Sequence, residues 1–269
     1  MIEIKLSQGA KPGHGGVLPA AKNTVQIAKI RGISLDTTIL SPHNHSAFED
    51  FKGLIAFISK LRALSNGKLI GLKLCIGDTT EFEMICQEMI NQNCFPDFIT
   101  VDSAEGGTGA APLEFADCAG MPFEPALIFV NKTLVSFEIR NSIRIICSGK
   151  MISGYSILSA VALGAHICNS ARSFMFSIGC IQALRCNTNT FPAGVATQDK
   201  ILIKGLVVTD KSERVFHFHK NTLHSANELL AAAGKKATKI DINIFMRGDE
   251  FAHLTDLYFP DNLKSVIRN

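Results

Sequence analysis

The chain has 269 residues, 46% of them hydrophobic and 19% charged, with 21 glycines, 9 prolines and no tryptophan. That length and apolar content suit one large domain, or one domain with an appendage, and exclude a disordered chain. A formal net charge of +3 is too mild to argue for nucleic acid. The most apolar window, 152–165, is broken by Gly154 and Ser156, so no membrane span is expected. Met1 to Leu6 alternates like a strand rather than forming the continuous apolar core of a signal peptide. Eight cysteines without a C-x-x-C pair point to reduced thiols and a cytoplasmic protein.

The first strand is expected over Ile2 to Leu6. After a glycine-rich loop, a helix is expected from Pro19, with Val25, Ile27, Ala28 and Ile30 on its apolar side. A polar stretch from Ser34 to His45 precedes Ser46 and Glu49, which have capping-box spacing. The helix they would open carries Leu54, Ile55, Ile58, Leu61 and Leu64 on one side, and Asn66-Gly67 stops it. Leu69 to Cys75 is the second strand, and Thr80 with Glu83 is a further capping box before the next helix. Asp97 to Asp102, Ile143 to Cys147 and His166 to Asn169 complete a set of five strands. Helices are expected over Ser153 to Gly164, from about Ser173 through Cys180, and over Asp210 to Gly234. Ile201 to Val208 could form another strand.

Near-continuous apolar strands separated by helices imply a parallel sheet with covered faces. All five strands run into polar or glycine-rich loops: Ser7-Gln8-Gly9, Gly77-Asp78, 103–109, Ser148-Gly149-Lys150 and Asn169 to Arg172. Functional groups repeated at every strand end favour a (β/α)8 TIM barrel, whereas an open sheet gathers them at one switch point. A full barrel needs eight strands, so the expectation is an α/β chain of incomplete TIM-barrel type, holding about the last five strands. A C-terminal helical appendage follows, dividing the chain at 1–200 and 201–269. An open barrel exposes strand edges, so a protein partner or self-association completing it is also expected.

Ser148-Gly149-Lys150 and Ser170-Ala171-Arg172 follow the last two strands, where backbone N–H groups, a helix N-terminus and a cation can hold a phosphate. The loop from Glu105 through Gly106 and Gly107 to Ala110 permits close backbone approach, although it is not a dinucleotide fingerprint. Lys73 lies among core residues of its strand. Such a lysine meets an anion, for example the N1–C2=O edge of a reduced flavin, or else snorkels outward or pairs with a carboxylate. Lys5, Gln8 and Lys11, with Arg31 beyond the next helix, either grip a dicarboxylate or are exposed loop residues. Cys180 and Cys186 have the look of cluster ligands, but two thiolates are too few, and buried inert thiols are the default. The pairs His43/His45 and His217/His219 are expected to be polar surface.

Four segments together resemble the FMN-binding synthase domain of glutamate synthase: Ile4 to Gly13, Gly106 to Ala110, Ser148 to Lys150, and Gly179 to Cys186. The likeness continues through 187–190, Gly194 to Gln198 and the tail helix, and is closest to the stand-alone FMN-binding glutamate synthase family. The resemblance implies a (β/α)8 barrel with FMN phosphate at Ser148, Gly149, Lys150, Ser170, Ala171 and Arg172. It also implies the flavin ring near Lys73, Gly106 and Gly107, and 2-oxoglutarate among Lys5, Gln8, Lys11 and Arg31. The implied chemistry is condensation of ammonia with 2-oxoglutarate, then hydride transfer from reduced flavin to give L-glutamate.

Three departures from the family pattern bear on these expectations. The family barrel begins before the Ile-Lys-Leu strand, so the chain is expected to lack the early strands. The third cluster cysteine falls at Phe191, so no iron–sulfur cluster is expected at Cys180 and Cys186. Met1-Ile2 cannot act as a glutaminase nucleophile, so no glutaminase domain of its own is expected. The rival expectation is a truncated, flavin-free and inactive barrel remnant serving as an assembly or binding piece.

Overall fold

The computed structural model describes residues 1–107 and 109–236. Five parallel strands form the central sheet: β1 (Ile2–Lys5), β4 (Ile70–Leu74), β5 (Phe98–Asp102), β6 (Arg144–Ser148) and β7 (Ile167–Asn169), in that spatial order. Two short strands, β2 (Val17–Leu18) and β3 (Ile39–Leu40), pair antiparallel in the long connection after β1. The helices are α1 (Val25–Arg31), α2 (Phe51–Leu64), α3 (Thr79–Asn91), α4 (Phe123–Ser136), α5 (Gly154–Ala162), α6 (Arg172–Ser177) and α7 (Val208–Ala232).

Each large strand lies beside the next one in sequence, and a helix makes every crossover. Right-handed crossovers that always step in one direction put all their helices on the same face. This is barrel-type winding rather than the doubly wound kind, which reverses direction at a switch point. Among the described residues β1 and β7 are the sheet's two edges.

The two faces differ in chemistry. Ile4, Ile70, Leu72, Leu74, Ile99, Val101, Ile145 and Cys147 alternate along their strands and meet Leu54, Ile55 and Ile58 of α2, Phe82 and Met89 of α3, and Leu127 and Val130 of α4. Each such Ile, Leu, Val, Phe or Met side chain, fully buried, contributes about 1.5–3 kcal/mol. The intervening positions form the opposite face: Glu3 and Lys5, Gly71 and Lys73, Phe98, Thr100 and Asp102, Ile146 and Ser148. Along it Lys5 pairs in register with Lys73, Lys73 with Thr100, and Thr100 with Ile146. Thr100 Oγ1 donates to Glu3 Oε2 at 2.6 Å across the strand between them. On the strand between them Gly71 has no side chain, and the Phe98 ring occupies the place a Cβ would take.

Several local expectations are corrected. The Ser46–Glu49 box does not cap α2: Asp50 does, Oδ1 accepting from Gly53 N at 2.6 Å. The Thr80–Glu83 box likewise yields to Asp78, whose Oδ1 accepts from Thr80 N at 2.8 Å. A carboxylate beside the first free N–H groups has the shorter reach and meets the positive end of the helix dipole. Pro19 leads into a short 3-10 turn, and α1 starts later under a Thr24 cap. Residues 201–208 are not a strand: Leu202–Gly205 is a 3-10 turn and α7 begins at Val208. α6 ends at Ser177, so Cys180 lies beyond it. Helix α4 had no counterpart in the sequence reading; Pro122 precedes it, and Ala126, Leu127, Val130 and Leu134 bury its face.

The tail helix α7 packs on α5 and α6, with Leu158, Ala226 and Leu230 buried together. Gly154 makes the approach possible, since a Cβ there would sit 2.5 Å from Ala226 N. Among the described residues no helix is long and apolar enough to cross a membrane. Residues 237–269, the Phe- and His-containing end of the chain, lie outside the described residues.

Candidate functional site

Because the five strands run parallel, their C-terminal ends open on one rim, and the face turned away from the helices carries polar groups toward it. Lys73 Nζ lies 3.2 Å from Asp102 Oδ2, and the same oxygen accepts from Gly9 N at 3.1 Å. Asp102 is 2% exposed. One buried carboxylate thus joins β4, β5 and the loop after β1, as a buried charge requires. Of the alternatives for Lys73, the described contact is a carboxylate partner.

Lys5 and Lys11 flank this pair. Lys5 Nζ donates to Gln8 Oε1 at 3.3 Å, and the buried Lys11 donates from Nζ to Gly15 O at 3.0 Å. Burial lowers the Lys5 pKa, and the charges of Lys73 and Lys11 lower it further. Lys5, Gln8 and Lys11 line a cavity of about 370 Å³ together with His14, Ser41 and His43. Arg31 is the last residue of α1, exposed, and is not among the residues lining that cavity.

Loops from the other strands interlock at the same rim. Ser103 donates from both N and Oγ to Ser148 O, at 2.9 and 3.1 Å. Gly149 lies so close to the Ser103 hydroxyl that any Cβ would overlap it. A Cβ on Gly107 would stand 2.5 Å from Ala10 Cβ and 3.5 Å from Arg172 Nη2, which brings Arg172 beside the Gly106-Gly107 segment. Ser170 Oγ donates to Met151 O at 2.7 Å, and Ser173 Oγ donates to the same carbonyl at 2.9 Å. The loops 148–151 and 170–173 are thereby one unit, with Ala171 exposed at the start of α6.

Lys150 stands apart from this group. Its backbone is left-handed (φ 43°), and its amine meets Asp117 Oδ1 at 3.1 Å in an exposed pair. With Gly149, Met151, Phe123 and Glu105 it lines a second cavity of about 370 Å³ beside the N-terminus of α5. Ser153 caps that helix, its side chain accepting from Ser156 N at 3.2 Å. Glu105 Oε1 accepts from Phe123 N at 3.1 Å, while its Oε2 is buried with no hydrogen-bond partner among the described residues.

Three residues that organise the rim escaped the sequence reading: Asp102, Ser103 and Glu105. Asp102 carried a usable signal, since an acidic residue closing an otherwise apolar strand demands a buried cation. Ser103 and Glu105 carried none, because their roles depend on which loops meet. Cys180 and Cys186 do not share a helix, and Cys186 Sγ would lie 2.9 Å from a Cβ on Gly109. Phe191 is fully buried, and among the described residues no three His, Cys, Asp or Glu side chains converge to hold a metal.

A family model described as the conserved region in glutamate synthase matches residues 1–236. The glutamate synthase large subunit-like protein YerD of Bacillus subtilis is 41% identical over 233 residues, covering 87% of this chain and 44% of that protein. The archaeal NADPH glutamate synthase of Methanocaldococcus jannaschii is 33% identical over 247 residues, covering 87% of this chain and 45% of that protein. The chain therefore spans less than half the length of these relatives. Among solved structures, a nitroalkane oxidase from Streptomyces ansochromogenes aligns with TM-score 0.33 and 18% identity over 47% of this chain and 32% of its own, too distant to argue from.

Proposed function

The chain belongs to the glutamate synthase family through that family's conserved region, and on that premise we propose that it is an FMN-dependent oxidoreductase, reductively aminating 2-oxoglutarate to L-glutamate in the cytoplasm. The observation that carries the reading is the excess of cations at the strand ends. Lys5, Lys11 and Lys73 outnumber the carboxylates Asp102 and Glu3, each of which already has one oxygen engaged. A dicarboxylate entering beside Lys5 and Lys11 would offset the burial and the lysine–lysine repulsion that lower the Lys5 pKa.

The donor chemistry suits FMN. Backbone N–H groups of the 148–151 and 170–172 loops, the capped N-terminus of α5 and the guanidinium of Arg172 match a phosphate monoester. Lys150 is within this reading because an exposed pair such as Lys150–Asp117 contributes little and exchanges readily. Gly106, Gly107 and Lys73 would border the ring. When bound, FMN supplies the hydride that reduces C2 of the substrate.

The protein's own groups do the rest. Lys5, oriented by Gln8, and Lys11 hold the two carboxylates, and Arg31 is assigned to the same anion by family likeness alone. Ammonia adds to the C2 carbonyl and water leaves, giving an iminium acid whose carboxylates stay neutralised by the lysines. Asp102 holds Lys73 in place and keeps the local charge from repelling the iminium. The division of the chain near residue 200, with a C-terminal extension packed on the barrel-type part, belongs to the same proposal.

The open sheet favours one second reading, an assembly piece that binds no flavin, because edge strand β7 leaves Ile167 54% exposed. Calorimetric titration separates the two. 2-Oxoglutarate binds the FMN-supplemented chain, and Lys5→Met or Lys11→Met weakens it about 10- to 100-fold, as loss of a charged hydrogen bond requires. Equal affinity for a monocarboxylic 2-oxo acid, or no binding at all, overturns the substrate assignment.

A further inference from the structure

Cys147 on β6 and Cys168 on β7 are direct partners in the parallel ladder, both on the helix-covered face. Their sulfurs are 3.5 Å apart, with the Cys147 thiol donating to Cys168. Adjacent strands run about 4.8 Å apart, inside the Cα separation of about 4.4–6.8 Å that a disulfide spans. Closing the bond needs side-chain rotation and no change of register.

The two thiols are unequal. Cys147 is fully buried, whereas Cys168 is partly exposed on an edge strand. We propose that Cys147 and Cys168 are a reversible thiol–disulfide couple, with Cys168 the sulfur that meets the oxidant and Cys147 the resolving thiol. With a peroxide, the Cys168 thiolate attacks one oxygen, the O–O bond breaks, and hydroxide leaves and takes up a proton as water. The resulting sulfenic acid is attacked by the Cys147 sulfur, the S–S bond forms and a second water leaves. Two electrons pass from the thiol pair to the peroxide, and a dithiol reductant returns them. The hydrogen bond from Cys147 favours the Cys168 thiolate, lowering its pKa, and the Cys147 pKa is raised.

The bond would staple a three-residue edge strand to the sheet two residues before the loops that begin at Gly149 and Ser170. This couple does not depend on the proposed catalytic activity. The test is hydrogen peroxide treatment of the purified full chain, blocking of free thiols, and mass spectrometry of its peptides. The proposal expects a 147–168 cross-linked peptide lighter by two hydrogens, removed by dithiothreitol. Cys168→Ser abolishes it, whereas Cys147→Ser leaves a Cys168 sulfenic acid that a dimedone probe captures. Oxidation that leaves both thiols free, or that pairs either with a different cysteine, overturns it. Should Cys147→Ser fail to fold, dimedone labelling of the wild type in the first seconds of oxidation still decides: label at Cys168 supports the couple, and label at Cys147 contradicts its order.

Discussion

Lys73 Nζ and Asp102 Oδ2 meet at 3.2 Å across neighbouring strands, and Gly9 N–H reaches the same oxygen from a third strand's loop. Removing either charge leaves the other stranded in a site of low exposure. Asp102→Asn is expected to cost about 1–3 kcal/mol, measured by urea unfolding. Lys73→Met combined with Asp102→Asn should cost less than the sum of the single changes, because neither charge is then orphaned. Additive costs would show that the two groups do not interact.

The contact between Gly71 and Phe98 makes a second prediction, about the polar face of the sheet. The Phe98 ring fills the space of a Gly71 side chain. Gly71→Ala should therefore destabilise by about 1–3 kcal/mol through overpacking. Phe98→Leu in the same chain should recover part of that loss. A neutral Gly71→Ala in thermal or urea unfolding would mean that the ring does not lie over β4.

His166 supplies a pH prediction. Burial, with the charges of Arg140 and Arg144, pushes its pKa down to about 4, and Nδ1 accepts the Ile145 N–H at 3.0 Å. The folded form thus holds a neutral imidazole where the unfolded chain takes up a proton near pH 6.5. Stability from this group is complete above pH 6.5 and is lost as pH falls from there toward 4. His166→Gln should flatten that part of a stability–pH curve measured by urea midpoints. An unchanged slope would contradict the depressed pKa.

Much of the fold was legible in the sequence because parallel strands covered by helices announce themselves as short apolar runs between amphipathic segments. All five large strands and the tail helix follow that rule. Helix caps were less legible: Ser46 and Thr80 have the right spacing, but Asp50 and Asp78 stand nearer the free N–H groups and take the role. Residues 201–208 look like a strand by composition, yet among the described residues they pair with no strand, and the apolar run supplies a turn and a helix start instead. At the rim, Lys5, Gln8 and Lys11 were identifiable as a group because one strand and its loop carry them all. Asp102, Ser103 and Glu105 act through contacts 18 to 93 residues away along the chain; the acid at the end of an apolar strand hints at Asp102, but no local pattern encodes Ser103 or Glu105.

Flavin uptake at the rim is the most direct test, read by difference absorbance as FMN is titrated into the purified chain. A saturable shift of the visible flavin band is expected, weakened by Arg172→Ala and by Lys150→Ala, since each removes a cation from the proposed phosphate end. A spectrum that stays that of free FMN throughout the titration would contradict the FMN assignment.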